Sequence, residues 1–152
     1  MPNIPLFDKK IKQIIEYFEY DMYLIHPDEK INCSCLDYTT HQGDPKCSNC
    51  LGTGKKIYIS IVKAARQPYV LTDLRSSKKN ADSGAIYYSR DIYPVNHNDI
   101  FVTGKYIDVV QYTERYQSDH YGPVYYASHT APKQMDAEIF FKNFREIVGE
   151  YL

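Results

Sequence analysis

Near the start of the chain, the apolar positions follow a helical repeat. Counted from Ile11, they recur at i, i+3, i+4, i+7, i+11 and i+14, which places them on one face of an α-helix. These residues are Ile11, Ile14, Ile15, Phe18, Met22 and Ile25. Asp8 is a suitable N-cap, and Pro27 ends the pattern because the residue before a proline is pushed out of helical geometry. The pattern predicts an N-terminal helix over residues 8–26.

After Gly54 the chain changes to short runs of β-branched and aromatic residues, which are typical of strands. The predicted strands cover residues 56–63, 85–92, 100–102, 106–112 and 124–129. Thr103-Gly104 gives two of them the spacing of a tight hairpin. Because no helical pattern lies between the strands, we expect a β body over residues 55–130 in the form of a small antiparallel barrel or sandwich.

The remaining segments complete a single-domain prediction for the 152 residues. Residues 72–84 are polar, with almost nothing to bury, and predict an exposed loop that is functional or disordered. Behind Asp136, apolar residues return at helical spacing and predict a C-terminal helix over residues 136–151. The fold class is therefore mainly β, with N- and C-terminal helices and a cysteine-rich insertion.

The net charge, the apolar stretches and the tyrosine content limit the classes of function that we expect. The net charge of −1 gives no overall attraction to nucleic acid or to an anionic membrane. No apolar stretch approaches the roughly 18 residues of a membrane span, and the first residues lack the pattern of a secretory signal, so we expect a cytosolic chain without membrane contact. The 16 tyrosines suit half-buried sheets and contact surfaces, although codon bias explains them equally well.

The charges are unevenly distributed along the chain. Residues 55–79 carry seven basic side chains against Asp73 alone. The basic residues are Lys55, Lys56, Lys63, Arg66, Arg75, Lys78 and Lys79. Such a segment could contact phosphates or an acidic partner, or it could form a solvated surface that acidic helices balance elsewhere.

The strongest motif is a set of four cysteines in two close pairs, Cys33-x-Cys35 and Cys47-x-x-Cys50. Two pairs joined by a loop suit a tetrahedral ion, because each pair supplies two thiolates from one turn. Soft thiolates favour zinc, and four of them leave no open coordination position. The glycines after Cys50 permit the tight turns of such a site. We therefore predict one structural zinc ion in a knuckle over residues 31–54.

Other chemistry is less well supported. An iron–sulfur cluster and redox-active or unliganded thiols remain as alternatives to zinc. His41 could replace a cysteine as a ligand, but with four thiols present we expect it to be a solvated loop residue. His97, Asp119, His120 and His129 have no nucleophile motif with them, and the elements of a zinc deaminase are incomplete, so we predict no enzymatic activity.

The order of these features resembles the small neck proteins of tailed bacteriophages, the head-closure or head-to-tail connector class. In that class a short β-barrel often carries a hairpin with an aspartate, an apolar strand, a glycine–tyrosine turn and a second apolar strand. Asp99, Gly104 and Lys105-Tyr106 match it here. A knuckle ending in Cys-x-x-Cys-x-Gly-x-Gly occurs in some members. The knuckle is also similar to one half of the zinc module of DnaJ-type chaperones.

The neck resemblance implies a structural protein of the virion, made in the host cytoplasm. Such a subunit would form a homo-oligomeric ring that joins the portal or an adaptor to the tail proteins. The basic residues of segment 55–79 would then make non-specific contact with packaged DNA. The alternative is a small zinc-containing nucleic-acid-binding or chaperone-like adaptor.

Overall fold

The structure is a computed structural model that describes residues 13, 17–68, 84–117, 124–133 and 135–149. Within this part of the chain it contains six strands followed by a helix near the C-terminus. These are β1 Tyr20–Asn32, β2 Lys55–Pro68, β3 Ala85–Arg90, β4 Ile100–Val102, β5 Ile107–Gln117, β6 Val124–Pro132 and α1 Ala137–Gly149.

The six strands form a closed barrel in the order β1-β2-β3-β6-β5-β4. β2 pairs antiparallel with β3, β3 with β6, and β6 with β5. The predicted hairpin is confirmed, because β4 pairs antiparallel with β5 and the N–H of Thr103 donates to the carbonyl of Tyr106 at 3.0 Å. The sequence predicted a small antiparallel barrel or sandwich, and the structure shows the barrel.

The chain divides into two compact units, of which the first comprises residues 1–24 and 60–132. Its core follows the period of two expected of strands, as β3 shows by burying Ala85, Tyr87 and Ser89 in alternation. The Tyr87 ring stacks on Phe101 with centroids 4.2 Å apart. The core cluster consists of Met22, Leu24, Val62, Ala64, Ala85, Tyr87, Val95, Phe101 and Val110.

The second unit comprises residues 25–59 and 133–152. It contains the four cysteines and α1, so the predicted C-terminal helix is confirmed. Asp136 caps this helix, because its Oδ1 accepts the N–H of Glu138 at 2.9 Å. Phe140 and Phe144, one turn apart, are both buried and stack on each other. None of the described helical segments is long and apolar enough to cross a membrane.

The predicted N-terminal helix over residues 8–26 is wrong for residues 20–26, which belong to β1. Met22 and Leu24 are buried there with the period of two of a strand, and Ile25 is buried as well. Of the earlier residues, Gln13, Tyr17 and Phe18 are helical, and the others of the range 8–16 lie outside the described residues. The helical spacing of apolar residues thus extends to Met22 and Ile25, although the segment that contains them is a strand.

Candidate metal centre

The four cysteine sulfur atoms form one compact cluster, all within 4.8 Å of one another. The Sγ atoms of Cys33 and Cys47 are 3.7 Å apart, and those of Cys35 and Cys50 are 3.3 Å apart. A tetrahedral ion with metal–sulfur bonds of about 2.3 Å would hold its sulfur ligands about 3.8 Å apart. The cluster therefore has the dimensions needed to bind a metal ion with four thiolate ligands.

The first cysteine pair lies in a turn that leaves β1. The N–H of Cys33 donates to the carbonyl of Gly54 at 2.8 Å, which ties the beginning of the cysteine segment to its end. The N–H of Leu36 donates to the carbonyl of Cys33 at 3.1 Å and closes the turn that contains Cys35. These backbone hydrogen bonds hold the turn that carries both cysteines of the first pair.

The second pair lies in a single turn of backbone. The N–H of Cys47 donates to the carbonyl of Asp44 at 2.9 Å, and the N–H of Leu51 donates to the carbonyl of Cys47 at 3.1 Å. Leu51 is fully buried although its φ is 53°, a value that costs energy for a branched side chain. The glycine at position 52 continues in the same left-handed region, with a φ of 86°. The turn is therefore held by burial of Leu51 and by a residue that tolerates positive φ.

Backbone N–H groups point at the sulfur atoms. The N–H of Gly54 lies 3.4 Å from the Sγ of Cys50. Burial raises the pKa of the Cys47 thiol, but hydrogen bonds from the N–H groups of Asn49 and Cys50 outweigh it and lower this pKa to about 7. Burial raises the pKa of the Cys35 thiol to about 12. The turns thus favour thiolate at one position of the cluster, and a bound cation would favour it at all four.

Two glycines let the ends of the cysteine segment approach closely. A Cβ atom on Gly43 would lie 2.3 Å from the backbone nitrogen of Gly54, and a Cβ on Gly54 would lie 2.8 Å from Cδ1 of Leu36. Neither position therefore has room for a side chain. The sequence signal was present at both positions, as a Gly-Asp-Pro turn before Cys47 and the repeated glycines after Cys50.

Sequence reasoning missed Lys133, whose side chain reaches this centre. Its Cε lies 3.8 Å from where a Cβ on Gly52 would be, and Cε of Met135 lies 3.7 Å from the same point. Burial lowers the pKa of the Lys133 ammonium, and the negative charge that Cys50 carries in its thiolate form opposes this shift. No sequence pattern could have found this contact, because Lys133 is remote from the cysteines along the chain.

None of the histidines that the structure describes joins the cluster. His41 is exposed, with a φ of 58°, and the metal-binding group found among the described residues consists of the four cysteines alone. His129 stacks on Tyr112, with its Nε2 atom 3.7 Å from a carboxylate oxygen of Glu114. His97 is exposed. The other two residues considered as acid–base groups, at positions 119 and 120, lie outside the described residues.

The predicted basic residues have different surroundings. The Lys55 ammonium donates to Oδ1 of Asn32 at 2.7 Å, and the Lys56 ammonium lies 5.3 Å from the centroid of the Tyr58 ring. Lys63 is exposed. The three basic residues of the predicted loop, Arg75, Lys78 and Lys79, lie outside the described residues, as does that loop up to residue 83.

Arg66, the remaining basic residue, is largely withdrawn from solvent and forms an ion pair with a buried carboxylate. Its Nε lies 3.2 Å from Oδ2 of Asp108 and 3.1 Å from the hydroxyl oxygen of Tyr87. The Tyr87 hydroxyl also donates to the same Asp108 oxygen. The guanidinium lies 3.5 Å from the centroid of the Tyr106 ring. This polar network is a feature of the barrel unit that the sequence did not reveal.

Comparison with known proteins assigns no family, because no protein-family model and no curated protein matches this chain. The resemblance to phage neck proteins therefore rests on the order and spacing of the sequence motifs.

Proposed function

We propose that the four cysteines bind one structural zinc ion. The observation that carries this proposal is the clustering of the four sulfur atoms within 4.8 Å of one another, with 3.7 Å between those of Cys33 and Cys47 and 3.3 Å between those of Cys35 and Cys50. Four soft thiolate ligands suit zinc better than hard cations. A site filled by four protein ligands leaves no position for water or substrate. The proposed role of the ion is therefore structural, and we propose that the protein is not an enzyme.

The zinc would offset the conformational entropy of a segment that buries little. Between residues 31 and 54, the large apolar side chains that are buried are Leu36 and Leu51. Metal binding in small zinc modules contributes on the order of 10 kcal/mol or more, which is enough to order a segment of this length. The ion would therefore act as the core of the knuckle.

We further propose that the protein is a structural subunit of a tailed-phage neck, forming a ring between head and tail. The support is the hairpin on which the resemblance rests, since Asp99 and Tyr106 both have defined roles in it. Asp99 is 1% exposed, and its Oδ2 accepts the N–H of Asn96 at 2.9 Å. Its carbonyl accepts the N–H of Val110 at 2.8 Å, which joins the two strands. The Tyr106 ring packs on the guanidinium of Arg66.

Contact with packaged DNA would be a secondary part of this role. Lys56 and Lys63 are exposed, so they could contact phosphates. Arg66 is not proposed to contact DNA, because its charge is paired with Asp108. Replacing Lys56 and Lys63 together with glutamine should reduce non-specific DNA binding and the steepness of its salt dependence.

Two measurements test the proposal. Elemental analysis of the purified protein should give about one zinc per chain, and an iron chromophore or a metal-free protein would contradict the zinc assignment. Mass photometry at several concentrations, with and without a portal ring, should show a ring-sized oligomer or addition to the portal. A monomer that ignores the portal and binds DNA with steep salt dependence would instead favour the adaptor alternative.

A further inference from the structure

We propose that Lys133 is the cation that balances the charge of the metal–thiolate centre and so sets its affinity for metal. This inference rests on the zinc site proposed above. A zinc ion with four thiolate ligands carries two net negative charges, and a partly buried centre of this kind is stabilised by a nearby positive charge. The structure places a lysine side chain within reach of this centre from a distant part of the chain.

The position of Lys133 is fixed by its backbone. The N–H of Met135 donates to the carbonyl of Lys133 at 3.1 Å, in the short turn that leads to the helix cap. Both side chains then pack over Gly52, with their terminal carbons 3.8 and 3.7 Å from the point a Cβ at this position would occupy. Gly52 lies between Cys50 and the glycine whose N–H faces the Cys50 sulfur. The lysine stem therefore covers the turn that presents Cys50.

The ammonium has no carboxylate partner among the described residues, since their ion pairs all involve other side chains. Isolated burial of an ammonium is unfavourable unless an opposite charge faces it. The group whose negative charge would favour the ammonium of Lys133 is Cys50, which is fully buried and is a thiolate when it binds metal. Cys50 is fully buried and Lys133 is half-buried, so solvent screens a charge pair between them less than it would at the protein surface.

Two other lysines of the same unit have different surroundings. Lys55 donates to Asn32, and Lys142 lies exposed on α1. Lys142 is therefore a matched control, because its replacement changes the net charge equally without touching the turn at Gly52. Groups that orient or neutralise metal ligands from outside the coordination sphere typically change metal affinity by roughly 10- to 100-fold.

The test compares Lys133→Met with Lys142→Met in the full-length protein, titrated with zinc against a chromogenic chelator. Methionine keeps a flexible apolar stem over Gly52 and removes the charge. We expect Lys133→Met to weaken zinc binding by roughly 10- to 100-fold, Lys142→Met to leave it unchanged, and Lys133→Arg to restore most of the lost affinity. Equal affinities for both methionine variants and the unmodified protein would overturn the inference.

A second measurement separates charge from packing. Cobalt-loaded Lys133→Met should keep the visible d–d bands of a tetrahedral tetrathiolate site, because the ligands themselves are unchanged. Altered bands together with lost affinity would show that the lysine stem shapes the turn, and would refute the role of its charge. If Lys133→Met does not fold, Lys133→Gln against Lys133→Arg makes the same comparison. An unmodified protein that binds no zinc would refute the proposed site itself, whereas zinc binding that is insensitive to Lys133 would refute this inference alone.

Discussion

The ion pair between Arg66 and Asp108 should be among the most sensitive points of the barrel unit. The Asp108 side chain is 2% exposed and that of Arg66 is 10% exposed, so neither charge is well solvated. One carboxylate oxygen of Asp108 receives both the guanidinium at 3.2 Å and the Tyr87 hydroxyl. Asp108→Asn keeps the shape of the side chain but leaves the guanidinium without an opposite charge.

The expected cost follows from this burial. Removing one partner of a buried ion pair typically destabilises a protein by about 3–5 kcal/mol, because the other charge stays buried and uncompensated. The free energy of unfolding of a natural domain is about 5–15 kcal/mol, so the variant would lose a large part of its stability. At about 2–4 °C per kcal/mol, the unfolding temperature should fall by roughly 6–20 °C.

Urea unfolding followed by circular dichroism measures the effect, with zinc at the same saturating concentration in all samples so that metal linkage is constant. The exposed carboxylate of Asp21 provides a control, and Asp21→Asn should change stability by less than about 0.5 kcal/mol. The double variant Arg66→Met/Asp108→Asn should be more stable than the sum of its single changes predicts. A loss below about 1 kcal/mol for Asp108→Asn, or strict additivity in the double variant, would refute the buried-pair argument.

Three further outcomes are expected. Cys47→Ser should abolish stoichiometric zinc binding and open residues 31–54 to limited proteolysis while the barrel strands stay protected; cleavage throughout the chain would contradict this. Gly43→Ala should destabilise the protein by about 1–3 kcal/mol in urea, because its Cβ would lie 2.3 Å from a backbone nitrogen. Gly104→Ala, with nothing within 4 Å, is the control, and equal effects would argue against the close approach. The hydroxyl of Tyr116 donates to Glu114, and this hydrogen bond, with burial, raises the pKa of Tyr116 to about 12. The stabilisation by this hydroxyl relative to Tyr116→Phe should therefore be complete below the unfolded pKa of about 10 and disappear between about pH 10 and 12; a difference independent of pH would contradict it.

The sequence by itself determined the strands after Gly54 and the residues of the cysteine cluster. Strand positions such as 85–90 were predictable because β-branched and aromatic residues form a short run there, and such residues favour strands. The cysteine cluster was predictable because each pair depends on a turn a few residues long. Both patterns involve residues that are close together in the sequence, so they can be recognised without knowing the contacts made by the rest of the chain.

Only the tertiary structure decided the state of the segment around Met22 and the surroundings of Arg66 and Lys133. Met22 suits a helical face and a strand face alike, and burial within the barrel selected the strand. From the sequence, Arg66 is expected to be a surface cation. In the structure its charge is paired with Asp108, which is far along the chain. Lys133 reaches the turn at Gly52 only after folding. Local spacing determines turns and ligand sets, whereas the partner of a buried charge is chosen by contacts between residues that the sequence holds far apart.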